Sequence, residues 1–237
     1  MDRFFLAAAQ WTPEVLHLGG EEGHHAVRVM RKKVGDLVEV FDGAGRWARG
    51  EVQGAGKSSL EVRIDEEGTQ APSSPALELA VAIPKGKTMD WIVQKAVELG
   101  VSRIQPLVTT HTVVKPGSGK DDKWQRIALE ACKQCGQNHL PLVAQPLNYE
   151  QWLSQPMGGI KVIASLAGET KTLREVLSAQ EGDGKYIFLV GPEGDFTADE
   201  VSRALAQGFH PVTLGGIVLR VETACLYLLA AARCLLT

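Results

Sequence analysis

Cysteine, long apolar runs and positive charge are all in short supply in this chain. Four cysteines in 237 residues are too few for a disulfide framework to be the main source of stability. Charged residues interrupt every apolar stretch before it could cross a bilayer. The opening Met1-Asp2-Arg3-Phe4-Phe5-Leu6 has no basic region followed by a long apolar core, so no secretory leader is expected there. The net charge of −3 excludes the global basic field of a nonspecific nucleic-acid coat. There is no internal repeat and no Gly-x-Ser-x-Gly elbow, which argues against an α/β hydrolase. No dinucleotide fingerprint occurs. Gly86-Lys87-Thr88 imitates the end of a phosphate-binding loop, but the glycine that motif needs five residues earlier is Val81.

What is present is an ordinary globular composition, 44% hydrophobic and 22% charged, organised in two rhythms. Residues 1–70 read as a small, mainly β unit. Arg3–Leu6 is a strand candidate and Glu21–Arg31 fits a helix. Asp36–Phe41 and Arg46–Val52 alternate as hairpin arms around Asp42-Gly43-Ala44-Gly45, and Ser58–Ile64 alternates again. The polar Glu66–Pro75 marks the boundary. Residues 71–237 then alternate strand and helix, which predicts a mainly parallel sheet covered on both faces. Strands are expected at Leu77–Ile83, Arg103–Val108, Lys161–Leu166, Tyr186–Val190 and Val212–Leu214. Helices are expected from Thr88 (a potential cap) to Leu99, from Asp121 to Cys135, from Lys171 to Ala179, after a Thr197-x-x-Glu200 capping box, and from Glu222 to Leu236.

Two glycine-bearing loops carry the chemistry. Val190-Gly191-Pro192-Glu193-Gly194-Asp195-Phe196 and Leu214-Gly215-Gly216-Ile217-Val218-Leu219-Arg220-Val221-Glu222-Thr223-Ala224 each follow a short apolar strand and precede a helix. In a parallel sheet both lie at the carboxyl edge, where open α/β sheets bind ligands. Glycine allows a sharp turn and close backbone approach. A tight turn does not by itself require the carboxylate of Glu193. Arg220 and Glu222 read either as site residues or as an ion pair at a helix start. His24–Lys33 holds Arg28, Arg31, Lys32 and Lys33 without an acid, which fits either a solvated helix end or a phosphate-contacting surface. Cys132-x-x-Cys135 has no second pair, and His139 nearby leaves a zinc site short of a fourth ligand. Both cysteines read as small semi-apolar helix residues, with Cys135 on one helix face with Trp124, Ile127, Ala128 and Ala131. Cys225 and Cys234 read as core.

Several separated segments together resemble one family. His25-Ala26-Val27-Arg28-Val29-Met30-Arg31, then Gly35-Asp36 and Phe41-Asp42-Gly43, is similar to its N-terminal signature. Lys95-Ala96-Val97-Glu98-Leu99-Gly100-Val101, Val113-Val114-Lys115 and Ala131-Cys132-Lys133-Gln134-Cys135-Gly136 follow in order. Gly191-Pro192-Glu193-Gly194 and Leu219-Arg220-x-Glu222-Thr223-Ala224 complete the set. The pattern resembles the RsmE family of 16S rRNA uridine-N3 methyltransferases, within the SPOUT class.

The resemblance implies an α/β fold: a trefoil-knotted SPOUT domain over 71–237, preceded by a PUA-like RNA-binding β-barrel over 1–70. It implies S-adenosyl-L-methionine as cofactor, held by Leu166, Leu189, Val190, Gly191, Pro192, Glu193, Gly194, Leu214, Gly215, Gly216, Val218, Leu219, Thr223 and Ala224. Arg220 and Glu222 would be catalytic. Arg28, Arg31, Lys85, Lys87 and Lys115 would contact RNA phosphates. No metal is implied. The expected partners are 16S rRNA of the small ribosomal subunit, modified at uracil 1498, and a second copy of the chain in a homodimer, without membrane attachment. The expected location is the cytoplasm. Three positions depart from the family pattern: Ile217, Gln137 and His111 stand where arginine is usual. Arginine is the preferred bidentate phosphate partner, so these departures point to altered RNA affinity or specificity. Methylation of a different RNA uridine, or a non-catalytic RNA-binding assembly role, are the alternatives.

Overall fold

The computed structural model describes residues 1–113, 119–165, 170–179 and 184–236. They belong to two compact units, Met1–Pro72 with Leu129–Leu140, and Ser73–Ala128 with Pro141–Thr237.

The first unit contains β1 (Asp2–Phe5), β2 (Val15–Leu18), α1 (Gly20–His24), β3 (Leu37–Phe41), β4 (Arg46–Ala55) and β5 (Leu60–Thr69). They form one sheet in the order β1-β3-β4-β5-β2, parallel at β1–β3 and otherwise antiparallel. The predicted hairpin is present. Asp42 Oδ1 accepts from the Ala44 and Arg46 amides at 2.7 and 3.0 Å, and Gly43 and Gly45 take φ of 76° and 107°, a region that favours glycine. The short β2 is an element that the sequence pattern does not announce. The expected helix Glu21–Arg31 is regular only to His24. It then widens over His25–Val29, where the Met30 amide bonds the His25 carbonyl five residues back. The alternating apolar residues Phe4, Leu16, Leu18, Val38, Val40, Val52, Leu60 and Val62 form the core.

Leu129–Leu140 joins this unit through Arg3. Its guanidinium donates to the Cys132 carbonyl at 2.6 Å, to the Asn138 side chain and to Glu39 at 2.7 Å, and stacks 4.5 Å over Phe41. Here the expected helix face is corrected: Cys132 is buried and Cys135 is exposed. Burial pushes the Cys132 thiol up to about 12. The His139 ring nitrogen Nε2 lies 2.8 Å from the Gln70 carbonyl, so that nitrogen is already occupied. Gln137 is a local structural residue, its Oε1 accepting from the His139 amide at 3.3 Å.

The second unit contains β6 (Ala76–Ala82), α2 (Thr88–Glu98), β7 (Val101–Val108), α3 (Lys120–Cys135, shared with the first unit), β8 (Leu142–Val143) and β9 (Leu147–Asn148). Next come α4 (Tyr149–Leu153), β10 (Ile160–Ala164), β11 (Lys171–Thr172), α5 (Leu173–Ser178) and β12 (Lys185–Val190). α6 (Ala198–Ala206), β13 (Phe209–Thr213) and α7 (Val221–Leu236) complete it. The sheet order is β11-β13-β10-β12-β6-β7-β8, with β9 also on β7, and each of these pairings is parallel. Both faces of the central strands are covered, so β6 and β12 read as nearly unbroken apolar runs (ALELAVA and KYIFLV).

Local signals explain most of the helix ends. Gly100, at φ 75°, stops α2. The Thr197–Glu200 box is formed at α6, and a second box, Thr172–Glu175, opens α5. Thr88, however, does not cap α2: Lys87 occupies that position and no side-chain cap bond forms. Of the two cysteines expected in the core of α7, Cys225 is buried and Cys234 is exposed on the last turn.

Candidate functional site

The central strands β13, β10, β12 and β6 are consecutive neighbours in the sheet. Because they are parallel, their carboxyl ends all face one edge. The chain leaves them at Thr213, Ala164, Val190 and Ala82. A cavity of about 700 Å³ opens at that edge, lined from Lys85 and Thr88, Ala164 and Ser165, Thr170, Val190–Glu193 with Asp195, and Thr213–Glu222 with Ala224. This volume suits a small organic ligand.

The two glycine loops form most of the wall. In the first, the Asp195 amide bonds back to the Pro192 carbonyl at 2.9 Å. Asp195 itself takes φ 59°, and its carboxylate accepts from the Phe196 amide at 2.8 Å. A β-carbon on Gly191 would lie 3.0 Å from the Phe196 ring. That ring is buried and packs 5.6 Å, centroid to centroid, from Tyr149, so it has little room to yield. Glu193 is not a bystander of the turn. Its Oε1 accepts from the Lys85 amide at 3.0 Å, which ties the loop after β12 to the loop after β6. In the second loop, Gly215 takes φ 120°, and its amide lies 3.3 Å from Thr213 Oγ1. Beyond it Ile217 and Val218, each 75% exposed, form an apolar pair in the cavity lining.

Arg220 and Glu222 both line the cavity. No ion pair or hydrogen bond joins them among the described residues. The ammonium of Lys85 makes no ion pair among them either. The cavity thus offers two cations, three carboxylates (Glu193, Asp195 and Glu222), an apolar slot and loop backbone. No cysteine or histidine is among its described lining residues, so covalent thiol or imidazole chemistry has no side chain to use there.

The structure brings most of the expected ligand set together: Val190, Gly191, Pro192, Glu193, Leu214, Gly215, Gly216, Val218, Leu219 and Ala224 line the cavity with Arg220 and Glu222. Leu189 is buried within β12, one residue behind the wall. Gly194 and Thr223 are exposed and are not among the lining residues. Leu166 and Lys115 lie outside the described residues. Lys85, expected to touch RNA, lines the cavity. Lys87 is exposed at the start of α2. Arg28 and Arg31 are exposed in the first unit, and neither has an ion-pair partner among the described residues. The sequence pattern does not single out Thr88, Ala164, Ser165, Thr170, Asp195 or Thr213 as ligand residues, whereas Ile217 and Val221 lie inside the second loop, Leu214–Ala224, read as a ligand loop. Asp195 sits inside the first loop, where a local signal could have found it; the others follow from strand order.

Two family models define the class of the chain as an RNA methyltransferase with a PUA domain. The RNA methyltransferase domain family matches residues 72–233, and the RNA methyltransferase PUA domain family matches residues 18–65. The chain is 32% identical to the ribosomal RNA small subunit methyltransferase E of Synechocystis, over 99% of this chain and 78% of that one. It is 30% identical to the Bacillus subtilis protein of the same name, over 98% and 95%. The structure of the Neisseria gonorrhoeae methyltransferase E bound to S-adenosyl methionine superposes with a TM-score of 0.89 at 32% identity, covering 99% of this chain and 98% of that one. The chain belongs to the ribosomal RNA small subunit methyltransferase E family.

Proposed function

We propose that this protein transfers the methyl group of S-adenosyl-L-methionine to N3 of a uridine in 16S rRNA of the small ribosomal subunit, the family position being uracil 1498. The observation that carries the reading is the junction of four strand ends around one cavity with Arg220 and Glu222 in its wall. The cavity fits the cofactor's chemistry. Gly191, packed against the Phe196 ring, and Gly215, at a left-handed φ, let the two loops turn sharply at the cavity wall. Ile217 and Val218 offer an apolar slot for a flat base. Glu193, Asp195 and Glu222 complement a ligand with sulfonium and ammonium charges. Val190–Glu193 and Leu214–Leu219 would hold it.

The cofactor supplies an activated methyl group, so the protein's part is positioning and electrostatics. Uridine N3 would give up its proton on accepting that methyl group, so negative charge would develop on the base. Arg220 stabilises the negative charge that develops on the uracil. Glu222, unpaired with Arg220, is free to receive the N3 proton or to orient the guanidinium once substrate arrives. Arg28 and Arg31 contact phosphates, which position RNA without reading its sequence. Lys85 at the cavity and Lys87 at the start of α2 extend that role, and Lys115 takes it from the family resemblance alone.

The same reading includes a trefoil knot formed by the segment leading into α7, and a homodimer. Trp91 on α2 and Tyr227 on α7 are 44% and 47% exposed on helices that pack together, which supports a protein contact there. No described helix is long and apolar enough to cross a membrane, and the reading assigns the work to the cytoplasm, with ribosomal RNA as its support. Ile217, exposed at the cavity where the family usually has arginine, favours a second reading in which a different RNA uridine is methylated.

The test is incubation with labelled S-adenosyl-L-methionine and small subunits lacking the modification, followed by mass-spectrometric mapping of nucleosides. A single 3-methyluridine in 16S rRNA supports the proposal. Label at another uridine supports the second reading. Cofactor binding without any transfer leaves the assembly role.

A further inference from the structure

We infer that His111 is a positioning residue for the cofactor loop, acting from outside the cavity lining; this rests on the cofactor reading above. His111 stands where the family usually has an arginine, so phosphate contact is the role its position suggests. Its geometry assigns it a different one. Nδ1 lies 2.9 Å from the Asp195 carbonyl and 3.0 Å from the Gly194 carbonyl. Carbonyl oxygens only accept, so Nδ1 carries the proton and donates to both. These two carbonyls end the Gly191–Asp195 loop, and His111 itself does not line the cavity.

The packing agrees. A β-carbon on Gly194 would come within 3.3 Å of the His111 β-carbon, so the glycine lets the loop backbone settle against the histidine. Gly194 therefore serves the loop by what it packs against, which accounts for its absence from the cavity lining.

His111 is itself held in place. The Thr109 amide and hydroxyl meet Thr112 Oγ1 at 2.9 and 2.8 Å, and the Thr112 amide returns to the Thr109 carbonyl at 3.1 Å. On the other flank, the Thr110 amide and hydroxyl donate to the buried Glu200 carboxylate at 2.9 and 3.0 Å. The turn Thr109–Thr112 is a fixed post between α6 and the cavity loop, and the imidazole reaches from it to the two carbonyls. Asp195, at φ 59°, sits in a backbone conformation that costs energy for a non-glycine residue. Donation to its carbonyl from a fixed post helps hold that conformation.

Binding of S-adenosyl-L-methionine by calorimetry, with steady-state methylation of RNA, tests the assignment in wild type, His111→Ala and His111→Asn. His111→Ala is expected to weaken cofactor binding about five- to tenfold, the worth of one hydrogen bond in loop order. Cofactor KM should rise in parallel, with RNA KM, kcat and melting temperature close to wild type. His111→Asn, whose amide can donate from nearly the same place, is expected to recover most of the affinity. Unchanged cofactor binding in His111→Ala overturns the inference, as does a rise in RNA KM alone, which would restore the phosphate-contact role. Failure of the wild-type protein to bind the cofactor would instead remove the underlying functional reading.

Discussion

Replacing Glu200 by glutamine changes one oxygen to nitrogen at a point where four donors converge. Its side chain is buried. Oε1 accepts from the Thr110 amide and hydroxyl, and Oε2 accepts from the Thr197 amide and hydroxyl at 2.8 and 3.2 Å. Burial pushes the Glu200 carboxyl up, but these hydrogen bonds outweigh burial and hold it below its ordinary range. Glutamine keeps one acceptor oxygen. Its NH₂ confronts either the Thr197 or the Thr110 amide, so one part-buried donor loses its partner. Hydrogen bonds to a charged group are worth about 1.5–3 kcal/mol, and the surviving pair weakens when the charge goes. The expected loss is about 2–4 kcal/mol at pH 7.

The pH dependence fixes the sign. A carboxyl whose folded pKa lies below its unfolded value of about 4.3 contributes stability in full above that value. The contribution is lost as pH falls through the folded pKa. Urea denaturation of wild type and Glu200→Gln should therefore show a gap that is full at pH 7 and narrows below about pH 4. A gap under about 0.5 kcal/mol at pH 7, smaller than one ordinary hydrogen bond, would refute the reasoning. So would a gap that stays constant into acid.

Arg220→Ala should lower kcat about 10²- to 10³-fold, the scale for losing a charge-stabilising donor, while calorimetry finds cofactor affinity near wild type; unchanged turnover would remove its catalytic assignment. Alkylation of the native protein at pH 8, read by mass spectrometry, should label Cys135 and Cys234 and spare Cys132 and Cys225, which are buried and whose thiols burial pushes upward. Arg28→Ala and Arg31→Ala should each weaken RNA binding and reduce the slope of log K against log salt by about 0.7–0.9, the effect of one phosphate contact. Cofactor binding should not change in either.

The two site loops are legible in the sequence because glycine, proline and charge beside an apolar strand form a local signal. The Thr197–Glu200 box is legible for the same reason. Its partner is not: nothing local announces that Thr110, some 90 residues earlier, donates to Glu200. Lys85 shows the same limit, since its place in the cavity depends on β6 lying beside β12. Thr88 misleads because its side chain suits a cap, while the chain places Lys87 at that position. On α3, helical spacing identifies a buried face but chooses the wrong cysteine, because the contacts that bury Cys132 come from Arg3 and its neighbours. The family signature can supply the ligand loops, whereas the role of the substituted His111 is visible only in three dimensions.

The cavity wall draws on four stretches scattered between Lys85 and Ala224, each delivered by a different strand. Cofactor affinity is therefore a gauge of whether the second unit has finished folding. An intermediate with any one of the four strands undocked is invisible to the cofactor. Added S-adenosyl-L-methionine should accordingly raise the free energy of every opening that undocks one of those strands, and amide exchange in β6 and β13 should slow together even though the sheet holds them three places apart.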